Sequence, residues 1–369
     1  MAAYKRFKIL GDLHLYLGLF LGVLFFIISL SGALLTWKPE LSRILYQERV
    51  VNEHRPYASI AEIKSNIKEV FPEGDFRTIE FRDSISAAKV LLFVPGTYFY
   101  AFVNPYSGEV VHIQDMKKGW LNKLVPLHRN LLLDKLGREI VHWATLLFLI
   151  MMISGLYLWW PKNKIERISA TTIQWRWLPV KLNYDLHKVL GFYATWIVFF
   201  TVITGLFWGF DIVKNGIKSI THETDIKYEI PQSDIRNKNT SVATIEVVDR
   251  IASNLRKRFK NKNINISFPH KEDEAIHATI ISPSSLVYNL DHLYFDRYTG
   301  LPIEGRFENG RYSQASLYNK LHGLVYDIHL GNIWGLPGRL LIFFSSLIMA
   351  SLPITGFLIY WHKRKYKLS

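Results

Sequence analysis

Four runs of the chain are apolar and hold no Lys, Arg, Asp or Glu: Leu15–Trp37, Ile140–Trp160, Val189–Phe210 and Leu340–Trp361. Crossing a hydrocarbon layer of roughly 30 Å takes about 20 helical residues, so each run predicts one membrane-spanning helix. The runs end alike, as "SGALLTW", "SGLYLWW", "TGLFW" and "TGFLIYW". Tryptophans belong at a membrane–water boundary, and the small Ser/Thr-Gly step lets something approach the helix backbone closely.

Between the runs, two long segments, 39–139 and 211–338, carry a different pattern. In "ASIAEIKSNIKEVF" (58–71), Ile60, Ile63, Ile67 and Val70 fall on one face of a predicted helix. Strand-like runs follow at 76–82, 88–94 and 98–103, then "VNPYSGEVV". In the second segment "ATIEVVDRIASNLRKRF" (243–259) is the helix, and 264–269, 275–282 and 292–303 are the strands. Gly108 and Gly300 close hairpin-type turns that require positive φ. Each segment then shows a Leu-His pair (Leu127-His128, Leu321-His322) and a Gly-Arg pair (Gly137-Arg138, Gly338-Arg339) before the next apolar run. The predicted fold is therefore an internally duplicated α-helical membrane protein, a four-helix bundle with two extracytoplasmic α/β domains. The spans fall in 1–38, 140–161, 184–210 and 339–369.

Charge sets the orientation. Lys5, Arg6 and Lys8 precede the first span, and Lys162, Lys164, Arg167, Arg176 and Lys181 fill the loop 162–183. Lys363, Arg364, Lys365 and Lys367 end the chain. Short basic segments stay in the cytoplasm, which places both termini there, in a bacterial inner membrane. The first run is too long for a signal-peptide core, and its "DLHLYLG" motif recurs as "DLHKVLG" in mid-chain. Topology accounts for most of the net charge of +14 without a nucleic-acid partner. The chain has no cysteine, which removes disulfides, thiolate metal sites and covalent c-type haem attachment.

The series of span, "NPYSGEVV", "LHRNLLL…LGR", span and "SGLYLWWP" resembles the PepSY-associated transmembrane family. The resemblance implies an inner-membrane haem protein that reduces ferric-siderophore complexes in the periplasm. It covers nearly the whole chain.

The histidines are read in that light. His14 and His187 stand at the same depth on parallel spans, where they can face each other across a haem plane. Asp12 and Asp185, just before them, also read as helix N-caps. For the outer level the repeat points to His128 with His322, with His142 or His329 as the alternative ligand. Gly155 and Gly356 lie near the inner level, and Gly32 and Gly205 near the outer one, where they would clear room for porphyrin. Arg129, Arg138 and Arg339 are candidates to pair with haem propionates or to anchor the helix ends. His54, His112, His222, His270, His277, His292 and His362 lack ligand spacing and read as surface or turn residues.

Two non-covalent b-type haems at two depths would conduct electrons across the membrane to a ferric siderophore. No nicotinamide, flavin or nucleotide motif is present, so a membrane quinol or a soluble reductase must be the electron donor. Aromatics of the outer segments, among them Tyr98, Tyr100, Tyr288 and Tyr294, line a cleft or simply fill the sheets. The competing expectation is a cofactor-free, membrane-anchored binding or regulatory protein. A permease is disfavoured, because the spans lack charge and only Pro353 interrupts one.

Overall fold

A computed structural model of the chain describes residues 2–365 except 47, 51, 52, 54, 176, 177, 240, 241 and 282–288, and no side chain of residues 2–7 or 239. His54, Arg176, Tyr288 and Lys367 lie outside the described residues, as do the side chains of Lys5 and Arg6. In chain order the elements are α1 (Ala2–Leu35), α2 (Lys38–Leu45), α3 (Ile60–Val70), β1 (Asp75–Phe81), β2 (Ala88–Val94), β3 (Thr97–Val103) and β4 (Val110–Asp115). Next come α4 (Trp120–Asn130), α5 (Asp134–Trp159), α6 (Lys164–Thr171), α7 (Pro179–Gly209), α8 (Asp211–Ile220) and α9 (Thr244–Arg258). The last are β5 (Asn263–Ser267), β6 (Ile276–Ile281), β7 (Leu290–Phe295), α10 (Leu317–Leu330) and α11 (Gly335–Lys365). They form two units: Met1–Lys38, Lys123–Gly216 and Val325–Ser369 make the first, Pro39–Asn122 and Ile217–Leu324 the second.

The first unit is a bundle of α1, α5, α7 and α11. The stretches long and apolar enough to cross a membrane are Lys8–Leu35, Asp134–Trp159, Pro179–Gly209 and Asn332–Lys365, the last including the 3-10 turn before α11. α1 packs against α5 and α11, and α7 against the same two, so α1 and α7 share a diagonal. Small buried side chains, Ala33, Ala144, Ala194, Ser345 and Ala350, bring the backbones together, as expected where lipid tails compete for every larger apolar contact. Large ones such as Phe20, 86% exposed, point outward. Neighbouring helices run antiparallel, because the start of α1 lies on the end of α5 and the start of α7 on the end of α11. α11 continues through Pro353, whose ring lies against Gly22.

Asp12 and Asp185 are not N-caps. α1 begins at Ala2 and α7 at Pro179, which seats both carboxylates inside helices. Asp185 is buried and pairs with Lys188, one turn on, at 3.3 Å.

The second unit differs from the expectation of two α/β domains. Both segments contribute to one antiparallel sheet in the order β4-β3-β2-β1-β5-β6-β7, joined where β1 pairs with β5. α3 and α9 cover one face. Ile60, Ile63 and Ile67 of α3, and Val247, Val248, Ile251 and Leu255 of α9, enter a common core with Ile79, Val90, Ile266 and Ile280. Val70, on the expected apolar face of α3, is 62% exposed, because the helix ends there. Ser59 caps the other end, accepting from Glu62 N–H at 3.1 Å.

The two Gly turns share a geometry: Gly108 N–H donates to Asn104 O and Gly300 N–H to Asp296 O, with φ of +71° and +73°. The expected strand 292–303 stops at Phe295, since the buried Asp296 carboxylate accepts from the N–H groups of Asp234, Tyr298 and Thr299 and fixes the turn.

His277 and His292, expected to be unconnected surface residues, meet across β6 and β7. Nε2 of the first and Nδ1 of the second are 2.9 Å apart, and the His277 ring also stacks on Tyr294 at 4.8 Å. Burial, then the neighbouring His292, lowers His277 from the ordinary 6.5 to about 4. An imidazole held neutral in the fold adds stability that is complete above about pH 6.5 and is lost as pH falls toward 4. Replacing it with an uncharged residue removes that dependence. The His277→Asn protein is therefore expected to lose less melting temperature than the parent between pH 7 and pH 5, by about 2–4 °C, in intrinsic-fluorescence thermal scans. Equal losses would show that this pair does not carry the acid sensitivity.

Candidate functional site in the helix bundle

Four histidines of the bundle are held in one way. His14 lies against Gly155, and its Nδ1 is 3.0 Å from Ser154 Oγ and 3.2 Å from Met151 O. His187 lies against Gly356, with Nδ1 2.9 Å from Thr355 Oγ1. His128, on α4, lies against Gly32, with Nδ1 2.9 Å from Ile28 O and 3.2 Å from Ser31 Oγ. His329, on α10, has Nδ1 2.8 Å from Thr204 Oγ1. Every Ser/Thr-Gly step of the four spans thus receives one imidazole from a neighbouring helix.

The hydrogen bonds fix the tautomer. Each hydroxyl already donates to a carbonyl of its own helix: Ser31 to Ile27, Ser154 to Met151, Thr204 to Phe200 and Thr355 to Leu352. It is then free to accept from the histidine, and the carbonyls of Met151 beside His14 and Ile28 beside His128 can only accept, which assigns the proton to Nδ1 and the lone pair to Nε2. Among the described residues none of the four makes a hydrogen bond through Nε2. For His128 and His329, outside the spans, burial lowers the imidazole below its ordinary value; His329, where protonation would also have to compete with its neighbour His128, falls to about 3. Both are neutral, as a metal-binding imidazole must be.

The four rings form two facing pairs. His14 and His187 have centroids 6.3 Å apart with planes at 87°. His128 and His329 have centroids 6.1 Å apart with planes at 68°. Neutral imidazoles in facing pairs, each oriented through Nδ1–H, are a donor set able to hold one metal atom per pair. Between the levels lies an apolar fill that includes Phe25 and Phe148, at 4.7 Å. Along α1, the rise from His14 to Ile28, and along α7 from His187 to Thr204, separates the levels by about 20–25 Å.

The structure sets His329, not His322, opposite His128. His322 stands two turns earlier on α10, in the second unit, with its ring on Tyr318 at 5.8 Å. A count from the Gly-Arg pairs would have found this: His128 lies ten residues before Arg138, and His329 ten before Arg339. At both Gly137 and Gly338 a Cβ would strike a loop carbonyl, of Asn130 and Gly331 respectively. That close approach fixes the distance from histidine to span in each half. His142 joins neither pair. It packs on Gly209 and Phe210, 3.9 Å from Glu139.

Gly32, Gly155 and Gly356 make room for imidazole edges, with an added Cβ falling 3.0, 3.0 and 3.2 Å from the respective Cε1 atoms. Gly205 faces Thr145 instead, at 3.3 Å. Ser31, Ser154, Thr204 and Thr355 were not singled out as site residues, although their recurrence before each glycine was visible. Arg129 and Arg138 are exposed. Arg339 is half-buried, donates to Thr36 O at the end of α1 and covers Trp37. It thereby satisfies an orphan helix-end carbonyl and complements the helix dipole.

A bundle of four spanning helices with two facing pairs of histidines defines a multi-pass membrane protein. The chain belongs to the family described as the PepSY-associated TM region, whose model matches residues 12–363. No curated protein matches the sequence.

Alanine at Gly32, Gly155 or Gly356 pushes a methyl group into a ring that cannot retreat without losing its Nδ1–H bond. Although Gly→Ala within a helix ordinarily stabilises by about 1 kcal/mol, these three substitutions are expected to destabilise by about 1–3 kcal/mol. Gly205→Ala is expected to cost less. Thermal unfolding of the four variants in detergent ranks them, and equal melting temperatures would remove the glycines from the site.

Proposed function

We propose that the chain is a two-haem, b-type electron-transfer protein of a bacterial inner membrane, with His14 and His187 holding one haem and His128 and His329 the other. The observation that carries this reading is the separation within the two pairs. Two imidazoles sharing one metal at about 2 Å each have ring centroids about 6 Å apart, and the bundle holds its pairs at 6.3 and 6.1 Å. The Nδ1–H bonds to Ser154, Thr355, Ser31 and Thr204 supply the orienting shell that metal-bound imidazole needs. Bound haem supplies reversible one-electron chemistry at each level.

The protein's own residues set what that chemistry can do. Uncharged spans exclude water and ions from the bundle. Two levels about 20–25 Å apart divide a distance that one level would leave undivided. With basic flanks at the termini end, the positive-inside rule puts that end in the cytoplasm and the second unit in the periplasm. We read the matched halves as a gene duplication and the second unit as PepSY-like. The activity that fits direction, family and site is reduction of a periplasmic ferric siderophore to its ferrous form, which oxygen donors hold more weakly. Electrons come from membrane quinol or a soluble reductase docked on the basic inner face.

A pyridine haemochrome assay on the purified protein tests the reading, with two b-type haems per chain expected. His14→Ala, His187→Ala, His128→Ala and His329→Ala should each remove about half of the haem, one metal centre of two. His322→Ala and His142→Ala should leave the content unchanged. Thr204→Val keeps the shape but removes the acceptor for His329 Nδ1–H, and should weaken haem retention about 10–100-fold. A colourless protein expressed with ample iron would support a cofactor-free binding or regulatory protein instead.

A further inference from the structure

The second unit contains a pocket of about 450 Å³ lined by Tyr228, Arg306, Phe307, Arg311, Gln314 and Asn319, among others. Its size falls within the range of about 300–1,000 Å³ typical of small-molecule sites. Cationic groups outnumber carboxylates in its lining, with the Glu229 carboxylate behind Gly305. Two guanidiniums and two carboxamides line it, against one carboxylate, Glu304, which lies 3.9 Å from Arg311 on the surface. Among the described residues no carboxylate lies within ion-pair distance of Arg306.

Tyr228 is fixed in the wall. Its hydroxyl donates to the buried Glu223 carboxylate at 2.6 Å, and Asn319 Nδ2 donates toward its oxygen at 3.5 Å while also bonding Glu308 O. The phenol proton is committed to Glu223, and the oxygen already has Asn319 as a donor, so Tyr228 serves as a fixed wall. Phe307, edge-on to Tyr294 at 4.9 Å, gives one apolar wall. The pocket therefore offers planar cationic forks, amide donors and an aromatic face. That set matches a compact ligand bearing carboxylates, since guanidinium binds carboxylate through two parallel hydrogen bonds.

We infer that this pocket binds a small carboxylate-bearing ferric chelate, with Arg306 and Arg311 as the anion-recognising residues. The choice of a ferric chelate as occupant rests on the proposed reductase reading; the anionic, oxygen-rich character of the ligand rests on the pocket alone. The test is calorimetric titration of the full-length protein in detergent with gallium(III) citrate, which has the shape and charge of the ferric complex but accepts no electron. Saturable binding that weakens with salt is expected. Arg306→Gln should weaken it about tenfold or more and Arg311→Gln by less, since Arg311 already has a carboxylate neighbour; a tenfold change is about 1.4 kcal/mol. Both side chains are exposed, so neither variant threatens folding.

Absence of binding, unchanged binding in Arg306→Gln, or equally tight binding of a cationic gallium trihydroxamate would overturn the proposal. Gallium citrate binding to a protein without haem would leave the pocket standing and remove the reductase. Haem without gallium citrate binding would do the reverse.

Discussion

The bundle depends on one contact made four times: an imidazole Nδ1–H donated to the Ser/Thr-Gly step of an adjacent helix. Burying an imidazole among apolar helices is costly unless its N–H is hydrogen-bonded. At His14, His187, His128 and His329, Nδ1–H is satisfied by a hydroxyl that has already spent its own proton on its helix backbone. The contact therefore fixes more than a hydrogen bond. It sets the tautomer, the ring direction and the distance between helices, and it leaves Nε2 as the chemically available atom.

The contact works within each half of the chain, while pairing works between halves. α1 is held twice within the first half, by His14 to Ser154 of α5 and by His128 of α4 to Ser31, and α7 is held likewise in the second half, by His187 to Thr355 of α11 and by His329 of α10 to Thr204. The facing rings then come one from each half. The second unit obeys the same logic by other means, since its core closes only when β1 of the first segment pairs with β5 of the second. Neither half alone would complete a histidine pair or cover both edges of that seam. Both units are thus products of association between halves, a reason for the chain to keep the two in one polypeptide.

Much of this was legible in the sequence, and the misses have physical causes. Uncharged apolar runs mark spans because nothing else tolerates them, and period-two burial marked the strands. His14 and His187 were legible as a pair because parallel spans put equal offsets at equal depth. His322 was preferred over His329 on a dipeptide match, Leu-His, that carries no geometric constraint. The Gly-Arg pair does carry one, because Gly137 and Gly338 each receive a loop carbonyl where a Cβ would sit. A register counted from sterically forced positions was the better ruler. The merged sheet was not legible, since strand patterns specify which face is buried but not which edge is met. The cross-strand His277–His292 contact depends on that same pairing register.

The fourth contact separates the two components of the motif. Three imidazoles rest on the glycine of their step, whereas Gly205 meets Thr145, and His329 sits between Thr204 and Trp208, whose ring centre is 5.0 Å away. The hydroxyl bond survives at all four places and the glycine contact at three. The loops behave likewise. The turn from α4 to α5 holds Leu131, Leu132 and Asp134 at positive φ, a conformation that costs non-glycine residues roughly 1 kcal/mol each. The turn from α10 to α11 uses Gly331 and Gly335 instead. Backbone detail therefore differs between the halves while the hydroxyl-to-imidazole bond does not. Of the two features that mark each span end, the hydroxyl is the one that defines the site, and the glycine follows from how closely a given ring happens to approach.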